Sequence, residues 1–192
     1  MQTTREHLIE IGLQRIHQIG YAATGVKEIL DLAGVPKGSF YHYFPSKEAF
    51  AQEVLQRYAA RETQRRETIL GDNKLVPLKR LRKYFNELIA VYGQNAPISG
   101  CLLGKMSVEV AGQSKAIQSL LSSSFACWQE AIAAVLRSAV ERGELPRSTK
   151  TEQLASFLLN SYEGALVRSQ AEKSNQPLDT FMDFAFKVLL KK

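Results

Sequence analysis

The segment I-S-G-C-L-L-G-K-M, residues 98–106, carries the side chain in this sequence with the greatest capacity for covalent chemistry. It contains Cys101, one of two cysteines in the chain, and Lys105 follows one helical turn later. A thiol near the start of a helix and beside an ammonium group ionises readily, and the thiolate is the form that attacks electrophiles and oxidants. We expect a thiol pKa below the usual value of about 8.5. The residues alone leave open a second interpretation, a buried and inert cysteine.

The spacing of the other reactive residues argues against catalysis and metal binding. Cys101 and Cys127 lie 26 positions apart, which fits neither C-x-x-C nor a metal-ligand pattern. The histidines His7, His17 and His42 all lie near the N-terminus, so none is an obvious partner for the Cys101 thiol. We therefore predict no catalytic residues, no metal and no cofactor, and we disfavour a small all-helical thiol enzyme.

A cluster of basic and aromatic residues, K-G-S-F-Y-H-Y-F, indicates a nucleic-acid-binding function. Two short helices joined by a turn at G-V-P-K have helix-turn-helix proportions. A recognition helix must be short and must present its first turn to base edges. A small apolar core can hold it in place, drawn from Ile29, Leu32, Ala33, Val35, Phe40 and Phe44. The aromatic cluster has an alternative interpretation, plain core packing.

The stretch T-G-V-K-E-I-L-D-L-A-G-V-P-K-G-S-F-Y-H-Y-F-P-S-K-E-A-F closely resembles the DNA-binding signature of the TetR family of transcriptional repressors. The resemblance covers residues 20–50 and implies a homodimer that binds palindromic operator DNA and a small-molecule inducer. It also implies that the last two long helices form a four-helix bundle with those of the second protomer, through residues 150–190. The family's DNA contacts fall here on Thr24, Lys37, Gly38, Ser39, Tyr41, His42 and Tyr43, with Lys47 meeting phosphate.

The pattern I-S-G-C-L-x-x-K-x-S-x-E-V resembles the same region of a branch of that family that responds to electrophiles and hypochlorous acid. The resemblance implies that Cys101 is the sensing residue. The lysine that engages the cysteine in that branch falls on Gln170 here, and Lys105 and Lys173 are nearby without being strict matches. We expect an effector pocket formed by Cys101, Lys105, Tyr92, Met106, Trp128 and Tyr162. The alternative is an apolar inducer that binds without covalent chemistry. We expect Cys127, beside Trp128, to be a packing residue.

The elements that position these residues are all predicted to be helices, because hydrophobic periodicity is helical almost throughout. Capping signals occur at Thr3 with Glu6, at Thr24, at Ser46 and at Thr149 with Glu152. The pattern predicts an all-α chain of nine helices, at 3–20, 26–33, 37–44, 47–70, 76–95, 101–111, 115–142, 150–172 and 178–190, and the resemblance implies that they form a nine-helix TetR-type fold. We expect a three-helix DNA-binding head, 1–48, and a regulatory domain for effector binding and dimerisation, 49–192.

Composition agrees with a globular DNA-binding protein. The chain has 192 residues, 45% of them hydrophobic, and a formal net charge of +6. Nothing resembles a membrane span or a secretory signal, so we expect a cytoplasmic protein and no membrane partner. Basic residues are in excess between positions 57 and 83, which fits either a solvated helix face or a phosphate-facing patch. Apolar residues in 150–190, among them Phe157 and Tyr162, are expected to cover a dimer interface.

Overall fold

The computed structural model of the chain describes residues 3–93 and 100–191. These residues form nine α-helices and no strand, which confirms the predicted fold class. A 3-10 turn, Lys37–Ser39, leads into α3, and π-helical turns, Ile89–Gly93 and Ala185–Leu189, continue α5 and α9. The helices are α1 Thr4–Ile19, α2 Val26–Ala33, α3 Phe40–Tyr43, α4 Lys47–Leu70, α5 Pro77–Leu88, α6 Leu102–Glu109, α7 Lys115–Glu141, α8 Thr151–Glu172 and α9 Gln176–Phe184.

Several helix boundaries follow the local signals in the sequence. At α1 the predicted capping box forms, because the Glu6 N–H donates to the Thr3 hydroxyl at 3.2 Å and the Thr3 N–H donates to the Glu6 carboxylate at 2.9 Å. The Ser46 hydroxyl accepts the Ala49 N–H at 3.0 Å and so caps α4. Gly34 ends α2 with a φ of 64°, a conformation that glycine adopts without steric cost.

Two predicted caps are wrong, because the hydroxyl groups bind carbonyl oxygens that precede them instead. The Thr24 hydroxyl donates to the Gly20 carbonyl at 2.6 Å, and Gly25 holds the cap position of α2. The Thr149 hydroxyl donates to the Pro146 carbonyl at 2.6 Å, and α8 begins after Lys150. Threonine often makes such local bonds to the backbone, which compete with helix capping. The predicted end of α5 at residues 95–97 lies outside the described residues.

The chain divides into two compact units. Unit 1 contains the described residues of Met1–Glu62 and Leu102–Ser124, and unit 2 contains those of Thr63–Cys101 and Phe125–Lys192. Helices α4 and α7 are continuous and contribute residues to both units. The functional boundary at residue 48 stays a prediction.

The core of unit 1 surrounds the short helices α2 and α3. Phe40 and Phe44 are fully buried, and the Phe44 ring packs edge-on against Phe50 with ring centroids 4.8 Å apart. Gly12 of α1 makes room for Phe50, because a Cβ atom there would lie 2.2 Å from the ring. The prediction that Leu32 belongs to this core is wrong. It is 55% exposed, because α2 packs through Ile29 and Leu30, both buried, while Ala33 and Val35 are half-buried.

The core of unit 2 is built from α5, α8 and α9 around three aromatic rings. The Phe85 ring lies 5.6 Å from that of Tyr162 and 5.0 Å from that of Phe181, and the last two are 5.8 Å apart. Both contacts of the Phe181 ring are edge-on and the Phe85–Tyr162 pair is tilted, which favours a single packed arrangement. The core therefore holds α8 firmly, and α8 carries the polar residues described next.

Candidate functional site

Cys101 belongs to unit 2 and directly precedes α6. It is buried, with 6% of its surface exposed. Its thiol lies near enough to the carboxyl group of Glu163 on α8 to affect the pKa of that group. Burial raises the pKa of Glu163 to about 7, because the charged carboxylate loses its hydration, and the interaction with Cys101 opposes that rise. The neighbour found beside Cys101 is thus a carboxyl group, which the sequence did not predict.

Buried tyrosine hydroxyls extend this polar group. Tyr162, next to Glu163 on α8, is fully buried. Its pKa is raised well above the ordinary tyrosine value by burial and then by its electrostatic interactions with Cys101, Glu163, Tyr84 and Tyr92. Among the described residues, the Tyr162 hydroxyl has no hydrogen-bond partner. We call Cys101, Glu163, Tyr84, Tyr92 and Tyr162 the polar cluster.

Trp128 of α7 adjoins the polar cluster. Its ring centroid is 6.0 Å from that of Tyr162, and its indole N–H also lacks a partner in the part of the chain that is described. Buried polar groups nearly always have partners, so each of these two donors leaves a hydrogen bond to be satisfied. Of the residues predicted for the effector pocket, the structure therefore brings together Cys101, Tyr92, Trp128 and Tyr162.

Gln170 of α8 lies against the backbone that leads into Cys101. Gly100 has a φ of 72°, and a Cβ atom there would lie 2.6 to 2.8 Å from the amide atoms of Gln170. Only glycine tolerates both this conformation and this close approach. The Gln170 amide thus lies next to Gly100, the residue before Cys101, at the position where the resemblance led us to look for a lysine.

The other two residues predicted for the pocket, Lys105 and Met106, belong to unit 1. The Lys105 ammonium donates to the carbonyl oxygen of His17 in the last turn of α1. A carbonyl at a helix C-terminus lacks an intrahelical partner, so a cation there is stabilising. Met106 is buried in the core of unit 1. The sensing role of both residues stays a prediction.

A second side chain of α6 also binds the N-terminal segment. The Glu109 carboxylate accepts the N–H of Ala22 at 3.0 Å, in the turn between α1 and α2. It also lies against Gly20, where a Cβ atom would be 2.4 Å from a carboxylate oxygen. Together with Lys105, it attaches α6 to the end of α1 and to the turn that precedes the helix-turn-helix.

The predicted recognition helix presents its aromatic side chains to solvent. Tyr41 is 68% exposed, His42 and Gly38 are exposed, and Ser39 and Tyr43 are half-buried. The Lys37 side chain lies outside the described residues. The rings stay ordered by edge-on contacts, with centroids 5.1 Å apart for His42 and Tyr43. This face can offer hydroxyl and imidazole groups to bases or phosphates.

Two predicted DNA contacts have partners within the protein. The Thr24 hydroxyl is bonded to Gly20 and is fully buried. The Lys47 ammonium donates to the Tyr21 carbonyl at 2.8 Å and lies 4.4 Å from the Tyr21 ring centroid. Burial lowers the pKa of Lys47, since the charged form is disfavoured there, and the nearby Glu109 carboxylate opposes the effect. Their contacts with DNA stay predictions.

Part of the basic excess between positions 57 and 83 serves the fold. Arg57 and Arg61 pair with Glu10, at 3.3 and 2.7 Å. The buried Arg80 donates to the Leu70 carbonyl at 2.8 Å and so caps the C-terminus of α4. These bonds explain several of the basic residues without a nucleic-acid partner.

An apolar surface runs along α8 and α9 and the π-helical turn that follows. Phe157, Val167, Phe184 and Val188 are each more than half exposed. Large exposed apolar patches are typical of protein–protein interfaces. The prediction that Tyr162 belongs to this surface is wrong, because the Tyr162 side chain is buried in the core of unit 2.

The prediction for Cys127 is wrong. It is exposed, whereas the adjacent Trp128 is buried. Successive residues on a helix point about 100° apart, so one can face the core while the next faces solvent. Cys127 is therefore an internal reference for the reactivity of an exposed thiol.

Among the described residues, no group of three or more histidine, cysteine, aspartate and glutamate side chains could hold a metal ion. Within the same residues, no helix is long and apolar enough to cross a membrane. The three histidines all lie in unit 1, away in sequence from the polar cluster.

Comparison with known families gives two matches that cover most of the chain. Residues 8–54 match the family described as bacterial regulatory proteins, tetR family. Residues 77–185 match the tetracyclin repressor-like, C-terminal domain family.

The chain is also similar to named repressors and to solved structures. It is 36% identical over 187 residues to the HTH-type transcriptional repressor DhaR of Mycobacterium sp. strain GP1, covering 97% of this chain and 92% of that protein. It is 34% identical over 180 residues to the HTH-type transcriptional repressor NemR of Escherichia coli K12, covering 92% and 88%. The crystal structure of reduced E. coli NemR superimposes with a TM-score of 0.86 over 96% of this chain and 97% of that one, at 33% identity. A regulatory protein TetR from Rhodobacter sphaeroides gives 0.87 over 94% and 95%, at 31% identity.

Proposed function

The chain belongs to the TetR family and is a transcriptional repressor, and we propose that modification of Cys101 by a small electrophile or oxidant releases it from a palindromic operator. Its relatives are named as transcriptional repressors, which argues against the alternative of a small thiol enzyme. TetR-family repressors bind operator DNA and generally act as dimers with small-molecule ligands, so the remaining question is which chemistry triggers release.

One observation carries the proposal: the buried Cys101 thiol lies in a polar cluster with Glu163 and with the tyrosines Tyr84, Tyr92 and Tyr162. An inert packing cysteine is usually surrounded by apolar groups. The similarity to NemR adds support, since that protein has been crystallised in a form named as reduced.

The connection between sensor and DNA-binding head runs through α6 in this proposal. Cys101 is bonded to Leu102, the first residue of α6, and closely packed protein interiors do not absorb added volume without movement. An adduct at Cys101 would displace the first turn of α6. Because Lys105 and Glu109 attach α6 to α1 and to the turn before α2, that displacement would reach the helix-turn-helix.

The DNA-binding and dimer surfaces complete the proposal. The exposed side chains of Tyr41 and His42 support base recognition by α3, within a head that we place at residues 1–48. The apolar surface of α8 and α9 supports dimerisation through residues 150–190. Two heads held by such a bundle would bind half-sites one helical turn apart. A change in the distance between the heads would then release one head from its half-site.

A second candidate inducer is a ligand that binds without covalent chemistry. The buried Tyr162 hydroxyl and the Trp128 indole N–H, both without a partner among the described residues, favour a small ligand with an acceptor group. Such a ligand would accept hydrogen bonds from these two groups and leave Cys101 unmodified.

Operator binding with and without N-ethylmaleimide tests the proposal, on the wild type, Cys101→Ser and Cys127→Ser. We expect the reagent to release the wild type and Cys127→Ser, and to leave Cys101→Ser bound. Release of Cys101→Ser at the same dose would contradict the covalent proposal and favour the non-covalent ligand.

A further inference from the structure

We propose that Gln170 is a positioning residue for the sensor: its side chain lies across Gly100 and holds Cys101 in its buried orientation. The contact thereby sets the rate at which an electrophile reaches the thiol. The inference rests on the proposed function of Cys101 and adds what regulates its reaction. It gives a role to a polar residue of α8 that the proposed function leaves unused.

The contact between Gln170 and Gly100 is very close. A Cβ atom on Gly100 would lie 2.6 Å from Nε2 of Gln170 and 2.8 Å from both Cδ and Oε1. Because these three atoms of one planar amide are at nearly the same distance, the amide presents its face to the glycine. Real Cβ atoms do not approach other heavy atoms so closely, so only glycine fits at position 100 while Gln170 stays in place.

The backbone of Gly100 is fixed in two further ways. Its φ of 72° lies in the left-handed region, where a residue with a side chain would be strained. Its N–H donates to the carbonyl oxygen of Tyr92, in the π-helical turn after α5, at 3.5 Å. Gly100 is therefore bonded to the π-helical turn and covered by a side chain of α8, and both contacts lie within unit 2.

These contacts also determine the position of Cys101, because the two residues share a peptide bond. Cys101 is 6% exposed, whereas Cys127 is exposed. A buried thiol reacts with a reagent in solution after a local displacement brings it to the surface, so its rate depends on how often that displacement occurs. Gln170 opposes the displacement, since Gly100 cannot move toward the amide and loses a packed neighbour if it moves away.

The last turns of α8 give Gln170 a fixed backbone. Leu166 and Ser169 are buried within unit 2, so this end of the helix is anchored next to Gln170. Gln170 itself is half-buried. Shortening its side chain therefore removes the cover from Gly100 without opening a large cavity in the core.

The test is the rate of N-ethylmaleimide addition to Cys101, measured by peptide mass spectrometry on the full-length protein without DNA. Wild type, Gln170→Ala, Gln170→Met, Gly100→Ala and the Gly100→Ala/Gln170→Ala double variant are compared. The exposed Cys127 of each chain is the internal reference, and Gln153→Ala, which shortens an exposed glutamine of α8, is the matched control. Operator binding before reagent is added confirms that each variant is folded.

We expect Cys101 to react roughly 10-fold faster in Gln170→Ala than in wild type, which corresponds to about 1.4 kcal/mol in the displacement equilibrium. The Cys127 rate and the Gln153→Ala variant should be unchanged. Gln170→Met should react about as slowly as wild type, because a side chain of similar length still covers the glycine.

The double variant tests the contact itself. Gly100→Ala should also react faster than wild type, because the new methyl group is strained and meets the Gln170 amide. In the double variant that amide is absent, so the rate should be lower than the product of the two single effects predicts. If Gly100→Ala does not fold, the two Gln170 variants and the dependence on urea decide the question.

The dependence of the Cys101 rate on urea separates positioning from a general loss of stability. A local displacement exposes little surface, so the rates of wild type and Gln170→Ala should change only slightly below the unfolding transition. Access through global unfolding would instead give a slope close to that of the equilibrium unfolding curve.

Any of four results would overturn the inference. The Cys101 rate in Gln170→Ala could be unchanged or lower, Gln170→Met could react as fast as Gln170→Ala, the two single effects could multiply in the double variant without coupling, or the rate could follow global unfolding in urea. None of these bears on whether Cys101 controls release, because operator binding by Cys101→Ser tests that separately. The inference and the proposed function can therefore fail independently.

Discussion

The carboxylate of Glu109 accepts a hydrogen bond from the backbone N–H of Ala22 at 3.0 Å, which attaches α6 to the turn that precedes α2. The Lys105 ammonium binds the His17 carbonyl one turn earlier along the same helix. Both bonds join residues far apart in sequence. They give α6 two polar attachments to the segment that carries the helix-turn-helix.

The first prediction concerns these attachments. Glu109→Ala removes the acceptor for the Ala22 N–H, and a hydrogen bond of this kind is worth about 1 kcal/mol. We expect the ratio of operator affinities before and after Cys101 modification to fall about 5-fold, with the rate of modification unchanged. Fluorescence anisotropy with labelled operator measures both affinities.

Glu109→Gln is the matched control, because its amide oxygen can still accept the bond and should keep most of the ratio. If Glu109→Ala and the wild type gave the same ratio, α6 would not transmit the signal through this contact.

The second prediction is a pH dependence of stability caused by Glu163. Its pKa is about 7 in the folded protein and 4.5 as the reference for the unfolded chain. A raised folded-state pKa gives stability that is complete below pH 4.5 and is lost as pH rises through 7. The free energy of unfolding of Glu163→Gln, relative to wild type, should therefore rise by up to about 3 kcal/mol between pH 5 and pH 8.

Urea unfolding at several pH values and one protein concentration measures this difference. Glu67→Gln, which alters an exposed carboxyl on α4, is the control and should follow the wild type across the range. A parallel course for wild type and Glu163→Gln would mean that the pKa of Glu163 is not raised in the folded protein.

The third prediction concerns DNA recognition by α3. Tyr41→Ala and His42→Ala remove exposed side chains, so the fold should survive while the preferred operator sequence changes, with a loss of about 1–3 kcal/mol per base contact. Lys47→Ala should instead weaken binding to all sequences about equally and reduce the salt dependence. Selection from a randomised palindrome, followed by salt titrations, distinguishes these effects.

The exposed Lys150, on the loop before α8, supplies the control, since Lys150→Ala should change neither affinity nor salt slope. If Lys47→Ala left the salt slope unaltered, Lys47 would not bind phosphate. Its role would then be limited to the hydrogen bond with the Tyr21 carbonyl.

The fourth prediction concerns the dimer. Phe157 is 51% exposed on α8, and a charge buried there on association would lack a partner. Phe157→Glu should therefore shift the sedimenting species from a dimer to the 21.5-kDa chain. Val108→Glu changes an even more exposed apolar residue, on α6, and should stay dimeric. Dimers in both variants would move the interface to another surface.

Local signals in the sequence predicted most of the fold. The capping box at Thr3, the Ser46 cap and the glycine end of α2 at Gly34 all form, because each depends on residues within one helical turn. The caps at Thr24 and Thr149 were predicted wrongly, because a hydroxyl can equally bind an earlier carbonyl. Only the folded backbone determines which of the two bonds forms.

The candidate site was predicted in part. Cys101, Tyr92, Trp128 and Tyr162 were identified as residue types suited to an effector pocket, and the structure places them together. Glu163 was missed, because its contact with Cys101 depends on how α8 packs in unit 2. A signal was nevertheless present, since Glu163 is a charged residue beside apolar neighbours of α8.

The exposure of individual side chains was the least predictable feature. Leu32 and Cys127 were both expected to be buried and are exposed, while Leu30 and Trp128 beside them are buried. A short apolar stretch does not specify which face of a helix meets its neighbours. That choice depends on the helices it packs against.

The central claim is that the chemical state of Cys101 controls operator binding. The most direct measurement is a titration of the operator-bound protein with N-ethylmaleimide, in which operator release and the modified fractions of Cys101 and Cys127 are followed in the same samples by anisotropy and peptide mass spectrometry. The account predicts that release follows the modified fraction of Cys101 at every dose, whatever the state of Cys127. Operator that remains bound when Cys101 is fully modified, or that dissociates while Cys101 is intact, would contradict it.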